Sequence, residues 1–195
     1  MRALSLFLVF VAAKALVLAG RDVPLSPWSP LAYFWQDALV ALVFAVVDRL
    51  VRSRPWVGWT LYGLAAGYAA LNVPLACLLS TPLTWPLLRA TGGTIADSIA
   101  HHVTTANLLR VGCVLGFAAL LPFLLRPVIV RTSPRSRIIL SVAIVAVLIV
   151  GPLAAARVPT NGLHRNALAA LVTSALPHVL AADLAGDWAG PGACV

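Results

Sequence analysis

Five long apolar stretches, separated by short polar intervals, dominate the pattern of the chain. None shows the apolar–polar alternation of a half-buried strand, and each has the roughly 17 to 25 residues that a helix needs to cross a hydrocarbon core about 30 Å thick. Because backbone groups in lipid must be hydrogen-bonded internally, the pattern predicts an all-α, polytopic membrane protein. The five predicted transmembrane helices are Ala3–Gly20, Leu31–Val47, Val57–Leu79, Leu108–Leu125 and Ile138–Ala156.

The pattern changes after the fifth stretch, so the chain divides into a five-helix transmembrane domain, residues 1–159, and a remainder, residues 160–195. In the remainder, apolar residues recur at helical spacing between Arg165 and Leu176, where Pro177 follows. This spacing predicts an amphipathic surface helix. The residues beyond it are rich in Gly, Ala and Pro and are typical of a linker-like tail.

The distribution of Lys and Arg predicts the orientation, because short loops rich in these residues stay in the cytoplasm. With the N-terminus inside, the inner intervals hold about twice as many as the outer ones, and an odd number of spans places the C-terminus outside. The inner residues are Arg2, Arg49, Arg52, Arg54, Arg126, Arg131, Arg135 and Arg137; the outer ones are Arg21, Arg89, Arg157 and Arg165. An alternative is that the first stretch is a cleaved signal peptide, against which Lys14 inside the stretch counts.

Composition excludes an ordinary soluble domain, since 61% of the residues are hydrophobic and 10% are charged. The net charge of +8 arises from basic residues between apolar stretches rather than on one solvated face. We therefore expect no nucleic acid and take anionic lipid headgroups as the partner. Three cysteines form no disulfide framework. The predicted location is the cell inner (plasma) membrane, crossed several times.

Charged residues within the predicted spans are the candidate functional residues, because a charge at membrane depth needs a partner or water. Lys14 and Asp37 fall at similar depth below the outer ends of adjacent antiparallel helices, and Arg110 lies at slightly shallower depth. One interpretation is an intramembrane charge site made of these three residues. The other is a structural ion pair with snorkelling side chains. Near the inner ends, Asp48 and Arg126 are predicted to pair.

Motifs for catalysis or metal binding are weak. In the outer loop, Asp97 and His101 share a helical face, but with His102 they provide too few ligands for zinc. Asn72 and Pro74 predict a kinked third helix. The sequence has no phosphate-binding loop, nucleophile elbow or HExxH motif. No catalytic residue, metal ligand or cofactor is therefore assigned, and enzymatic activity is left open.

Several segments together resemble the membrane domain of bacterial sulfatase-like proteins, which are similar to lipoteichoic-acid synthases and phosphoethanolamine transferases of the alkaline phosphatase superfamily. These segments are Thr81–Arg89, Ala96–Ile99 with His101–His102, Asn107–Leu108 and Asn161–Asn166. The resemblance implies spans followed by an extracytoplasmic catalytic domain with a Thr or Ser nucleophile and a divalent metal. That domain is not within these 195 residues.

The resemblance leads to the hypothesis of a membrane anchor domain, truncated or separately encoded, that is non-catalytic by itself. It would hold an extracytoplasmic hydrolase or transferase at the outer leaflet. A small transporter or channel subunit that uses Lys14, Asp37 and Arg110 is the alternative from another class. A third hypothesis is a membrane partner of a separate enzyme.

Overall fold

The computed structural model is built of α-helices, and no strand occurs in the part of the chain that it describes. The structure describes residues 1–19, 21, 26–79, 81–90, 104–130, 134–160 and 162–176. The prediction of an all-helical protein is therefore confirmed for these residues. Their helices are α1 (Arg2–Leu18), α2 (Ser29–Leu50), α3 (Pro55–Leu79), α4 (Trp85–Ala90), α5 (Thr105–Val130), α6 (Pro134–Arg157) and α7 (Ala167–Ala175).

The five long helices coincide with the five predicted stretches, but most extend further at their polar ends. Three segments are long and apolar enough to cross a membrane: Ser29–Leu50, Pro55–Cys77 and Thr105–Pro127. Helix α1 has 17 residues, and in α6 the apolar segment Val142–Arg157 is shorter than these three. The structure thus supports a membrane protein with three such helices.

Helix α1 lies at the centre of the bundle, where it contacts α2, α3 and α5. Its buried face joins two apolar clusters, one shared with α3 and α5 and one shared with α2 and α3. Ala66 and Ala70 of α3 are almost completely buried in the first cluster. Such small residues let neighbouring backbones approach closely, which is how helices pack in lipid.

Helix α6 packs against α2 on the side away from this centre. The contact is close at Gly151, where a Cβ atom would collide with the side chain of Trp35. Ala154 and Val158 are buried against Ala32 and Tyr33 nearby. A glycine is therefore required at position 151 for the two helices to meet.

Contacts at the two ends fix the relative directions of the helices. At one end, Arg2 pairs with Asp48 at 2.9 Å and donates a hydrogen bond to the carbonyl oxygen of Pro55, so the start of α1, the end of α2 and the start of α3 meet there. We call this the Arg2 end. At the opposite end, the guanidinium of Arg157 lies 5.2 Å from the ring centroid of Trp28. We call this the Arg157 end.

Pro74 lies within α3, which continues as a helix to Leu79. The side chain of Asn72 makes no hydrogen bond to a backbone group of α3 freed by Pro74. It accepts a hydrogen bond from the backbone N–H of Leu83 at 2.7 Å, and the Tyr68 hydroxyl donates to the Leu83 carbonyl oxygen. Asn72 therefore fixes the segment that follows α3.

Candidate functional site

Lys14 of α1 and Asp37 of α2 form a buried ion pair below the Arg157 end. The Lys14 Nζ and an Asp37 carboxylate oxygen are 2.6 Å apart, and the two side chains are only 10% and 1% exposed. At 1.5 Å per residue, Lys14 lies about 6 Å before the end of α1 and Asp37 about 12 Å after the start of α2. The structure therefore brings together two of the three charges that the sequence singles out.

The Lys14 ammonium contacts three groups of the protein. Besides Asp37, Nζ donates to the carbonyl oxygen of Tyr33 at 2.7 Å and to that of His164 at 3.1 Å. The second of these acceptors is 150 residues away in the sequence. The ammonium thus connects α1 and α2 to the chain that follows α6.

Asp37 makes the same connection through its other carboxylate oxygen. This oxygen accepts a hydrogen bond of 2.6 Å from the side-chain amide of Asn166, which is almost completely buried. The backbone N–H of Asn166 donates to the side-chain oxygen of Gln36 at 2.8 Å. Two consecutive residues of α2 therefore hold Asn166, and we call Lys14, Asp37 and Asn166 the Lys14 cluster.

Asn166 also starts α7. Its side-chain oxygen accepts from the backbone N–H groups of Leu168 at 2.9 Å and Ala169 at 3.3 Å, as the N-cap of a helix does. The amide nitrogen of the same side chain is the group that reaches Asp37. One asparagine therefore both begins the helix and attaches it to the bundle.

A tight turn brings Asn166 back to the buried pair after α6 ends. Gly162 has φ 80°, a backbone conformation that glycine adopts readily. The Thr160 hydroxyl oxygen and the His164 Nδ1 are 2.6 Å apart, which closes the turn, and Thr160 is buried. We call residues 162–176 the return segment.

Helix α7 of the return segment lies against the bundle, in contact with α2, α3 and α4. Leu168 packs on the apolar cluster that contains Phe44 and Tyr62. The hydroxyl oxygen of Ser174 accepts a hydrogen bond from the backbone N–H of Trp85 at 2.8 Å. A helix is thus present within the predicted range, and it lies against α2, α3 and α4.

A cavity of about 60 Å³ adjoins the Lys14 cluster. Its polar lining includes Lys14, Asp37, Asn72, Arg165 and Asn166. Apolar residues of α1 and α3, the segment after α3 and the return segment also line it. Since one water molecule needs roughly 10 to 15 Å³ of such volume, the cavity has space for a few water molecules. It is too small for a drug-sized ligand, whose pockets measure roughly 300 to 1,000 Å³.

Arg110, the third residue of the predicted charge site, lies elsewhere. It is exposed on α5, and its guanidinium donates to the Asn107 side chain of the same helix at 3.1 Å. It does not line the cavity. The sequence made Arg110 a candidate only because of its depth in the predicted fourth span. In the structure, the rotation of α5 about its own axis directs Arg110 away from α1 and α2.

Of the other predicted site residues, one has a different partner from the one predicted and three lie outside the described part of the chain. Asp48 pairs with Arg2 rather than with Arg126, which is exposed at the same end. The loop residues Asp97, His101 and His102 lie outside the described part of the chain, as does the tail from Pro177. Sequence reasoning assigned no site role to His164 and Asn166, although both lie in the segment Asn161–Asn166 that contributes to the resemblance.

None of the protein-family models, curated proteins or solved structures compared with the chain matches it. The function must therefore be argued from the geometry of the chain itself.

Proposed function

We propose that the chain is a five-span membrane anchor domain for an extracytoplasmic catalytic region, resembling the N-terminal part of sulfatase- or phosphotransferase-type cell-envelope enzymes. The carrying observation is that Lys14 and Asp37, near the start of the chain, hold His164 and Asn166, which follow the last long helix. An anchor has to hold the chain in a fixed position where it leaves the helix bundle towards the attached catalytic region. The Lys14 cluster and the contact between Ser174 and Trp85 provide such a fixed exit.

The distribution of charge supports the orientation in this proposal. The Arg2 end carries Arg2, Arg49, Arg52 and Arg54 around one carboxylate, that of Asp48. Under the positive-inside rule this end is cytoplasmic. The Arg157 end, and with it the return segment, then faces the outside of the plasma membrane.

A transporter or channel subunit is the second candidate, and the cavity beside Lys14 and Asp37 is the observation in its favour. Against it, Lys14 and Asp37 are paired with each other, and they also bind two backbone carbonyl oxygens and the Asn166 side chain. An ion would have to displace these bonds. An Asp37→Asn variant that inserts normally but loses flux across vesicles would favour transport over anchoring.

The test of the anchor is a reporter fused to the C-terminus of the full chain. We expect alkaline phosphatase, which is active only outside the cytoplasm, to be active in this fusion, and green fluorescent protein to be dark when exported there through the general secretory pathway. The same two reporters inserted after Ser53, in the turn at the Arg2 end, should give the opposite result. Phosphatase activity after Ser53 and fluorescence at the C-terminus would refute the anchor.

The cargo is tested separately by reading the DNA downstream of the Val195 codon in all three frames, and by copurification from the native membrane. An adjacent soluble domain with a Thr or Ser nucleophile and Asp and His metal ligands would identify a split or continued enzyme. Copurification of a separately encoded enzyme would instead identify a membrane partner.

A further inference from the structure

The Arg2 end carries an open groove of about 480 Å³ that is lined by Arg2, Ala45, Val46, Asp48, Arg49 and Arg52. We call it the basic groove. It lies at the opposite end of the bundle from the Lys14 cluster, so it is independent of the anchor's outer contacts. From its geometry we propose that the basic groove binds the phosphate-bearing headgroup of an anionic glycerophospholipid.

One wall of the basic groove is held rigidly. The guanidinium of Arg2 pairs with Asp48 at 2.9 Å, donates to the carbonyl oxygen of Pro55 at 2.9 Å and lies 5.4 Å from the ring centroid of Trp59. Gly58 leaves room for this arrangement, since a Cβ there would lie 2.6 Å from the Asp48 carboxylate. The single carboxylate of the groove is therefore already neutralised by Arg2.

Two arginines on the same groove remain uncompensated. Arg49 and Arg52 are exposed, and neither side chain pairs or hydrogen-bonds with another residue in the described ranges. A backbone hydrogen bond of 3.4 Å from Arg52 N to Arg49 O turns the chain so that the two residues adjoin. Guanidinium groups bind phosphate through paired, charge-assisted hydrogen bonds, so this pair suits a phosphate group.

The apolar part of the groove favours a phosphate that carries an acyl chain over a water-soluble phosphate. Ala45 and Val46 lie on the side of the groove nearer the membrane centre, and Val46 is 54% exposed on a helix long and apolar enough to span the membrane. An acyl chain lying along this surface would cover it while the headgroup meets Arg49 and Arg52. Because positive charge exceeds negative charge in the groove, an anionic lipid is preferred to a zwitterionic one.

The experiment is native mass spectrometry of the full chain in neutral detergent, titrated with phosphatidylglycerol, phosphatidylcholine or glycerol 3-phosphate. We expect one tightly retained phosphatidylglycerol and at least about tenfold weaker binding of phosphatidylcholine. The double variant Arg49→Gln/Arg52→Gln should lose about tenfold or more in affinity, the order expected for lost charge-assisted hydrogen bonds. The melting temperature of each variant checks that it is folded.

Arg126→Gln is the matched control, because Arg126 is exposed at the same end but does not line the groove. Its affinity for phosphatidylglycerol should stay within about twofold of the wild type, given that screened surface charges contribute little. An equal loss in Arg126→Gln and in the double variant would show unspecific attraction and overturn the proposal. If glycerol 3-phosphate displaces phosphatidylglycerol and binds with the same affinity, the groove binds a soluble phosphate ester, and the proposal of a lipid ligand is wrong.

Discussion

Lys14 and Asp37 show how a charged pair is accommodated among apolar helices in this chain. Each charge is costly when buried alone, and together they pair with each other and bind two groups of the return segment. The ion pair thus connects the beginning of the described chain to its end. Removal of one partner leaves the other buried without a counter-charge.

We expect Lys14→Met or Asp37→Leu to lower the free energy of unfolding by about 3 kcal/mol, the scale for breaking a buried ion pair. The double variant Lys14→Met/Asp37→Leu should recover part of this loss, since no buried charge remains. Unfolding of the purified protein in mixed detergent micelles measures these differences. Arg110→Met, at an exposed position, should change stability by less than about 0.5 kcal/mol. Additive losses in the double variant would contradict the pairing.

Among the elements, α7 depends most on a single residue. Asn166 begins the helix with one atom of its side chain and attaches it to Asp37 with another. Sequence periodicity predicted the helix correctly, because Leu168, Leu171 and Val172 recur at its spacing. Periodicity could not show its attachment to α2, since Asn166 and Asp37 are 129 residues apart.

The substitution Asn166→Asp tests this attachment. An aspartate keeps the N-cap but removes the amide donor and places a second carboxylate against Asp37, so we expect α7 to leave the bundle more often. Hydrogen–deuterium exchange of the α7 amides should be faster by about tenfold or more, which corresponds to about 1.4 kcal/mol. Asn166→Ser, which keeps a cap without adding charge, should be affected less. Unchanged exchange in Asn166→Asp would show that the bond does not hold the helix.

At the scale of the whole molecule, the central position of α1 is the main organising feature. Its two apolar clusters join α2, α3 and α5, and its lysine reaches the return segment. The apolar pattern predicted that α1 is a helix, but it did not predict that α1 lies at the centre of the bundle. Each long helix is apolar around most of its circumference, so the sequence alone does not show which face meets protein and which meets lipid.

Two alanines near the end of α1 provide a matched test of its central position. Ala13 is buried in the cluster shared with α3 and α5, whereas Ala15 is exposed. We expect Ala13→Leu to destabilise the protein by about 1 to 3 kcal/mol through overpacking, and Ala15→Leu to be nearly neutral. Thermal unfolding in detergent measures both. Equal effects of the two substitutions would place α1 at the edge of the bundle instead.

The sequence by itself determined the helical class, the approximate bounds of the five long helices and the presence of α7, because these depend on local apolar patterns. It also placed Lys14 and Asp37 at comparable depth, since the rise per residue of a helix is fixed. Only the tertiary structure decided that Arg110 stays apart, that Asp48 pairs with Arg2, and that Asn166 joins Asp37. These contacts depend on the rotation of each helix about its axis and on packing between distant segments, and a one-dimensional pattern specifies neither.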